Sequence, residues 1–382
     1  MRSLMPLRRR FGCVPFTLSE EERLIQQTVR GFAAGWGLEN AAEADRFDQY
    51  PKQAMKDAAA LGLLGFAAAG GPGATAYVLA LDEVAQVDPT LAACLAAHNA
   101  ALAAAGDHPV SSALAGGALA SLLVAEEATG SDALHPGTTA TAEGDGFRLT
   151  GQKVWGLNAS DAEQFLVLAR LTGATEPLLF AVPKSAAGVS VGSYEPLMGL
   201  RAAGIRTVYL SKVAVKADET VGGKDGGLAA ARRGRHWLTL GAAAALCGAV
   251  GGALRAAADF AQNRVQFGEP IATYQAVSDG LTLMDVQLAA GRALVLEAAA
   301  HATEPDGPAW AARAKAFANE MAVAMTRQAI RVQGGTGFMR EGGTERFARD
   351  ARALQFVGES TQMQRDVVKR ALLPDVPFPA EP

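Results

Sequence analysis

The seventeen residues from Leu238 to Leu254 carry no charged side chain and consist mainly of alanine, glycine and leucine. A helix that is apolar on every face has to be buried, either in a protein core or in a membrane. Alanine and glycine contribute little transfer energy, so this segment is a weak candidate for a membrane span. The sequence therefore predicts a helix at the centre of a helical bundle, with no membrane span.

Helical patterns occupy both ends of the chain, whereas the middle has the pattern of short strands. Ser19 precedes three glutamates, which is typical of a helix N-cap with an acidic first turn. Helices are predicted over Thr17–Phe66, Ala76–Ala105, Ser111–Leu123, Leu228–Thr303, Gly307–Gln333 and Thr344–Val357. Strands bounded by turn residues are predicted at Phe147–Val154, Phe165–Leu171, Leu178–Val182, Val189–Tyr194 and Thr207–Val215.

This order predicts an α+β fold that is mostly α, with separate helical and β regions. The predicted divisions are a basic N-terminal extension at 1–16, an N-terminal helical domain at 17–123, a β domain at 124–217, a linker at 218–227, a C-terminal helical domain at 228–373 and a tail at 374–382.

Composition excludes several classes of protein. The net charge of the 382-residue chain is −4, and basic residues cluster only at Arg8–Arg10, so nucleic acid is not expected as a partner. Its three cysteines are widely spaced, which predicts free thiols in a reducing, cytoplasmic compartment and no metal site. The basic N-terminus lacks the apolar region of a secretory signal.

The stretch Ile330–Arg365 combines a glycine-rich turn, a charged helix and a second turn that carries Glu359. Glycines at 334, 335 and 337 would let a ligand approach the backbone closely, because glycine has no Cβ. Gly358-Glu359-Ser360-Thr361 reads as a tight turn or a helix N-cap. From this pattern alone, Glu359 either projects into a cavity or is a surface acid beside a cap.

Several motifs in this stretch resemble the C-terminal motifs of the acyl-CoA dehydrogenase family, namely Gln333–Phe338, Glu345-Arg346, Arg349–Arg352 and Gln362–Arg365. Further similar motifs, in the same order as in the family, are Glu126–Asp132, Gly151–Asn158, Met198–Val215 and Arg264–Gln275. The resemblance extends from about Leu18 to Leu373. It implies an N-terminal helical domain, a middle β-barrel and a C-terminal four-helix bundle.

The resemblance also implies FAD as cofactor, bound at the interface of a homodimer or homotetramer. Trp155 would lie against the flavin ring, and Arg264 would reach the diphosphate of the flavin in a neighbouring subunit. The implied cofactor-binding residues are Ser131, Trp155, Leu157, Arg264, Phe267, Gln275, Gln333, Gly334, Gly335 and Thr361. An acyl thioester, carried by coenzyme A or by an acyl carrier protein, and an electron acceptor are the implied partners.

The chain departs from the family pattern at its catalytic base. Gly358 stands where the family has its glutamate, and the acid is the next residue, Glu359. Leu238 occupies the alternative position of the base in some members, and Thr239 occupies the place of a usual arginine. Arg235, one helical turn earlier, could replace that arginine, and His236 could titrate near neutrality. Our hypothesis is that Glu359 is the catalytic base.

Two hydroxyl groups expected near the flavin ring are also missing, because Leu157 and Ala125 stand where the family has serine or threonine. Three functions remain open. The first is α,β-dehydrogenation of a specialised acyl thioester. The second is a flavin-dependent monooxygenase on the same scaffold, and the third is a catalytically silent subunit of a heteromeric dehydrogenase.

Overall fold

Five helices begin the fold. The structure, a computed structural model, describes residues 17–130, 135–174, 176–222 and 226–378. Its first helices are α1 (Glu20–Phe47), α2 (Lys52–Ala60), α3 (Gly73–Ala85), α4 (Pro89–Ala105) and α5 (Val110–Ala115). The predicted cap of α1 is confirmed: Ser19 Oγ accepts from the Glu22 N–H at 3.1 Å, and the Glu22 carboxylate accepts from the Ser19 N–H at 2.7 Å.

Two of the predicted N-terminal helices are wrong in part. The single helix predicted over Ala76–Ala105 is α3 and α4, because Asp88 starts a new helix by accepting from the N–H groups of Thr90 and Leu91. The helix predicted over Ser111–Leu123 ends at Ala115, and its last four residues form a strand instead. Gly117, with a φ of +107°, turns the chain between them.

The middle of the chain forms one mixed sheet. Its strands are β1 (Ala120–Leu123), β2 (Thr139–Glu143), β3 (Gly146–Gly156), β4 (Gln164–Leu171), β5 (Pro177–Pro183), β6 (Val189–Val191), β7 (Arg206–Lys216) and β8 (Thr220–Val221). They pair in the order β6-β7-β3-β2-β4-β5-β8, and β1 pairs with β4 in parallel. The five predicted strands are found close to their predicted positions, whereas β1, β2 and β8 were not predicted.

The C-terminal part returns to helices. Its elements are α6 (Gly227–Asn263), the hairpin strands β9 (Val265–Gln266) and β10 (Glu269–Pro270), α7 (Gln275–Ala300), α8 (Gly307–Gln333), α9 (Gly335–Phe338), α10 (Thr344–Leu354) and α11 (Thr361–Leu372). The helix predicted over Leu228–Thr303 is therefore two helices, α6 and α7, separated by the hairpin.

Helix α6 is the centre of the helical core and contacts α3, α4, α7, α8 and α10. It is long and apolar enough to cross a membrane, but 83% of its most apolar window is buried within the fold. Glycines allow this packing. A Cβ added at Gly241 would lie 2.1 Å from Tyr77 Oη, and one at Gly248 would lie 2.3 Å from the Asp82 carbonyl oxygen. The prediction of a buried bundle helix is confirmed.

We expect Gly248→Ala to lower the free energy of unfolding by about 1–3 kcal/mol, because its methyl group would overlap the α3 backbone, which cannot rotate away. Gly31 on α1 is the matched control, since a Cβ there meets nothing within 4 Å. Gly31→Ala should stabilise the protein by about 0.5–1 kcal/mol through helix propensity. Urea unfolding measures both effects, and two variants of equal stability would contradict the packing described for α6.

Candidate functional site

A cavity of about 640 Å³ lies between the sheet and the C-terminal helices. Its volume is within the ordinary range for sites that bind small molecules. Most of its wall is apolar, and its charged side chains are Arg235, Arg352 and Glu359. The wall also includes Ala125, Val154, Trp155, Leu157, Met198, Gly199, Leu200, Leu238, Phe356 and Gly358.

Trp155 forms one wall of the cavity from a distorted position at the end of β3. The register between β3 and β7 shifts between Lys153 and Gly156, which marks a β-bulge. Trp155 has a φ of +55°, a rare conformation for a bulky residue. In a regular strand, successive side chains point to opposite faces. Because of the distortion, both Val154 and Trp155 line the cavity. Backbone strain of this kind is concentrated at functional sites.

A buried ion pair holds this wall in place. Lys153 Nζ donates to Glu126 Oε1 at 2.6 Å and to the Val124 carbonyl at 3.2 Å. Glu126 also accepts the N–H groups of Gly137 and Thr138 at 2.6 and 3.0 Å. Although burial opposes it, the neighbouring Lys153 ammonium keeps the pKa of Glu126 below its usual value. The pair thus ties β3 to the segment that contains Ala125.

Helix α10 holds the opposite wall, at residues 198–200. The Asp350 carboxylate accepts the Leu200 N–H at 2.7 Å, and Arg349 Nη1 donates to the Met198 carbonyl at 3.0 Å. Burial raises the pKa of Asp350 to about 7. A Cβ at Gly199 would lie 2.2 Å from the Arg349 carbonyl oxygen, so only glycine lets the two backbones pass this closely. Arg349 and Asp350, in the RDAR sequence of α10, therefore hold the segment at 198–200 in place.

The turn between α10 and α11, residues Gln355–Ser360, is called the Glu359 turn below. Gly358 and Glu359 both have left-handed backbones, with φ of +68° and +81°. Ser360 is the N-cap of α11, which is one of the two alternatives that the sequence offered, and its Oγ accepts from the Met363 N–H at 3.4 Å. Glu359 lines the cavity, and 15% of its side chain is exposed. The structure thus places the predicted acid in the cavity and not on the open surface.

Gly358 lies directly against the backbone of α6. A Cβ at this position would be 2.8 Å from Thr239 Cα and 2.9 Å from Thr239 N. The Gly358 carbonyl accepts from Thr239 Oγ1 at 3.0 Å and from Gln364 Nε2 at 2.5 Å. No side chain fits at position 358 in this conformation. The acid at the next position is the one that reaches the cavity.

Arg235 and Glu359 form an ion pair at the cavity wall. The arginine is one turn before Thr239 on α6, in the position from which the sequence suggested that it could replace the usual arginine. The neighbouring residues of α6 offer no second base. Leu238 lines the cavity but is apolar, and His236 Nε2 lies 3.1 Å from the Ala302 carbonyl, in a partly buried position where burial lowers its pKa.

The other predicted cofactor-binding residues do not line this cavity. Phe267, at the tip of the β9–β10 hairpin, is 96% exposed, and Arg264, Gln275, Gly334 and Gly335 are also exposed. Gln333 is buried and accepts from Thr344 Oγ1 at 2.8 Å, and Thr361 Oγ1 accepts from Asn319 Nδ2 at 3.0 Å. Ser131 lies outside the described residues. The fold of the single chain therefore does not bring the exposed residues of this set to the cavity.

The cavity fits a flat ring system with one polar edge. Trp155 offers an aromatic face, the remaining walls are largely apolar, and the Leu157 N–H donates to no backbone acceptor among the described residues. These are the features by which a protein binds a flavin ring. Sequence reasoning missed the wall at 198–200 and Phe356. Gly199 was the available signal, because glycine allows two backbones to approach closely.

We expect Gly358→Ala to destabilise the protein more than Gly343→Ala. Both glycines have left-handed backbones, but a Cβ at Gly343 meets nothing within 4 Å. Gly343→Ala should cost about 1–2 kcal/mol of folding free energy from its backbone conformation. Gly358→Ala should cost a further 1–3 kcal/mol, approximately, from overlap with Thr239. Urea unfolding compares them, and equal losses would show that the contact with α6 is unimportant.

Three family models match the chain in succession. They are the N-terminal domain (residues 19–108), the middle domain (121–213) and the C-terminal domain (225–373) of acyl-CoA dehydrogenase. The chain is 33% identical to "Probable acyl-CoA dehydrogenase fadE25" of Mycobacterium leprae, over 94% of this chain and 97% of the relative. It is 32% identical to cyclohex-1-ene-1-carbonyl-CoA dehydrogenase of Geobacter metallireducens, over 93% and 99%.

The fold agrees with that of butyryl-CoA dehydrogenase from Megasphaera elsdenii. The TM-score is 0.89 at 26% identity, covering 94% of this chain and 100% of that one. The expected α+β fold is confirmed, and so is FAD as the cofactor of this family of oxidoreductases, which act on CH–CH groups. This chain belongs to the acyl-CoA dehydrogenase family.

Proposed function

We propose that this protein removes the α- and β-hydrogens of an acyl thioester, with Glu359 as the base that takes the α-proton. The observation that carries the proposal is the position of Glu359 inside the cavity that Trp155 lines. Bound FAD supplies the two-electron oxidation, as acceptor of the β-hydrogen with its electron pair. The product is the α,β-unsaturated thioester.

Two arginines accompany Glu359 at the cavity wall. Arg235 pairs with Glu359, so it would orient the carboxylate before the substrate enters. Arg352 donates to the Gln355 side chain, and its guanidinium lies 5.9 Å from the centre of the Phe356 ring. Since all three charged groups have partners within the chain, we propose an uncharged, apolar acyl group as substrate.

The altered base and the missing hydroxyls at Ala125 and Leu157 support a specialised acyl thioester, carried by coenzyme A or by an acyl carrier protein. An electron acceptor would reoxidise the flavin, and a cytoplasmic location agrees with the widely spaced cysteines. We further propose a homodimer or homotetramer in which Arg264, Phe267 and Gln275 reach the cofactor of a neighbouring subunit. Their exposure in the single chain supports this arrangement.

We expect Glu359→Gln to lower the rate of flavin reduction by an acyl thioester about 100- to 10,000-fold, the range for loss of a general base. Flavin content should not change, because glutamine keeps the size of the side chain. Butyryl-, octanoyl- and glutaryl-CoA are mixed with the purified flavoprotein, and bleaching is followed by stopped-flow absorbance. The wild-type protein should react faster with the first two than with the charged glutaryl group.

Glu320→Gln is the matched control, because Glu320 pairs with Arg365 at the surface. It should leave bleaching unchanged. Undiminished bleaching in Glu359→Gln would remove Glu359 from the mechanism. Hydroxylated product formed with oxygen and reduced flavin would favour a monooxygenase, and a wild-type flavoprotein that no thioester bleaches would favour a silent subunit.

We expect Arg264→Ala to weaken flavin binding about 10- to 100-fold, as loss of a charge-assisted contact to phosphate would. Arg331→Ala is the control, because Arg331 is exposed and, among the described residues, hydrogen-bonds only to Gln328 on its own helix. Fluorescence titration with FAD measures affinity, and light scattering measures the oligomeric state. A monomeric wild-type protein that binds FAD tightly would contradict the inter-subunit site.

A further inference from the structure

A fully buried lysine lies behind the Glu359 turn and has no carboxylate partner among the described residues. Lys315 on α8 has an exposed fraction of 0%, and its Nζ donates to Asn319 Oδ1 at 2.6 Å. It also donates to the carbonyls of Leu354 and Gln355 at 3.1 and 3.3 Å. Burial lowers the pKa of Lys315 to about 7. A buried amine that faces only neutral acceptors is costly to keep, so its contacts call for an explanation.

Two of the three acceptors of Lys315, the carbonyls of Leu354 and Gln355, lie at the point where α10 ends and the Glu359 turn begins. Carbonyl groups at the end of a helix lack partners within the helix, and they attract a cation. Lys315 therefore fixes the beginning of the turn to α8. This contact lies outside the cavity, since Lys315 is not among the residues that line it.

Asn319, one turn further along α8, holds the other end of the turn. Its Nδ2 donates to Thr361 Oγ1 at 3.0 Å, at the first residue of α11. Its backbone carbonyl accepts from Gln355 Nε2 at 2.7 Å, which adds a second bond to the beginning of the turn. Together, Lys315 and Asn319 connect one rigid helix to both ends of the segment that carries Glu359.

The turn needs such support because its own backbone is strained. Glu359 has a left-handed φ of +81°, which a residue with a side chain adopts only where its surroundings impose it. A displacement of about 1 Å in a reacting group can lower a rate on the order of 100-fold.

We propose that Lys315 and Asn319 are positioning residues that hold the Glu359 turn, and with it the Glu359 carboxylate, in its reactive place. The catalytic part of this inference rests on the proposed function, whereas the mechanical part does not. Neither residue touches the cavity, so both act through the turn.

The first test is Lys315→Met, which keeps an unbranched side chain of similar length and removes the three donors. Hydrogen–deuterium exchange of the flavoprotein should become about tenfold faster in peptides covering residues 355–364. Thr326→Val is the matched control, because Thr326 is equally buried on the same helix and, within the described part of the chain, its hydroxyl bonds only to the Ala322 carbonyl. Thr326→Val should leave exchange in this segment unchanged.

The same variant should reduce its flavin with an acyl thioester about 10- to 100-fold more slowly at saturating substrate. Reduction by dithionite should be unchanged, because it needs no base. Unchanged exchange in residues 355–364 would overturn the proposal. Faster exchange with an unchanged rate of reduction would also overturn it, since the support would then not serve the base.

Thr361→Val provides a second route if Lys315→Met does not fold, because Thr361 is only half-buried. It removes the acceptor of Asn319 Nδ2 and should produce the same two changes at smaller amplitude. Normal exchange in residues 355–364 of this variant would overturn the proposal, whatever its flavin affinity. If no thioester reduces the wild-type flavin, the proposed function fails, and the exchange data still decide whether Lys315 and Asn319 hold the turn.

Discussion

The close approach of two backbones, at Gly358 and Thr239, determines which residue of the Glu359 turn faces the cavity. A Cβ at 358 would overlap α6, so that position is restricted to glycine and the neighbouring carboxylate occupies the site. Arg235 lies on the same helix and pairs with that carboxylate. Helix α6 therefore both excludes a side chain at one position and supplies the partner of the acid at the next.

The cavity depends on this helix in a second way. Small residues let α6 pack closely against α3. Helix α6 also contacts α10, which is hydrogen-bonded to the segment at 198–200. On the other side, the buried pair of Lys153 and Glu126 fixes the strained wall at Trp155. The two walls are thus attached to different parts of the fold, and the Glu359 turn contributes its carboxylate to the same cavity.

Sequence patterns were sufficient to predict the order of most helices and strands. They also predicted the central place of α6, because a helix with no charged residue over Leu238–Leu254 has to be buried. The motifs also placed Trp155 and Glu359 at one site. They were not sufficient for β1, because its four residues, Ala120–Leu123, are too few to show a clear alternation of buried and exposed side chains. They could not reveal the role of Lys315 either, because its acceptors are an amide side chain and backbone carbonyls about forty positions away. Contacts of Arg264 or Gln275 with a second subunit are suggested only by the family resemblance, because no pattern in a single sequence describes its assembly.

The left-handed glycine beside the acid has a consequence for how this site can change over generations. Exchanging Gly358 and Glu359 one at a time passes through a protein with either no acid on the turn or a side chain forced into α6. The first lacks the carboxylate that lines the cavity, and the second places a side chain against the backbone of Thr239. The glycine at 358 and the surface of α6 around Thr239 therefore constrain each other, and a larger residue at 358 requires a change in that surface first.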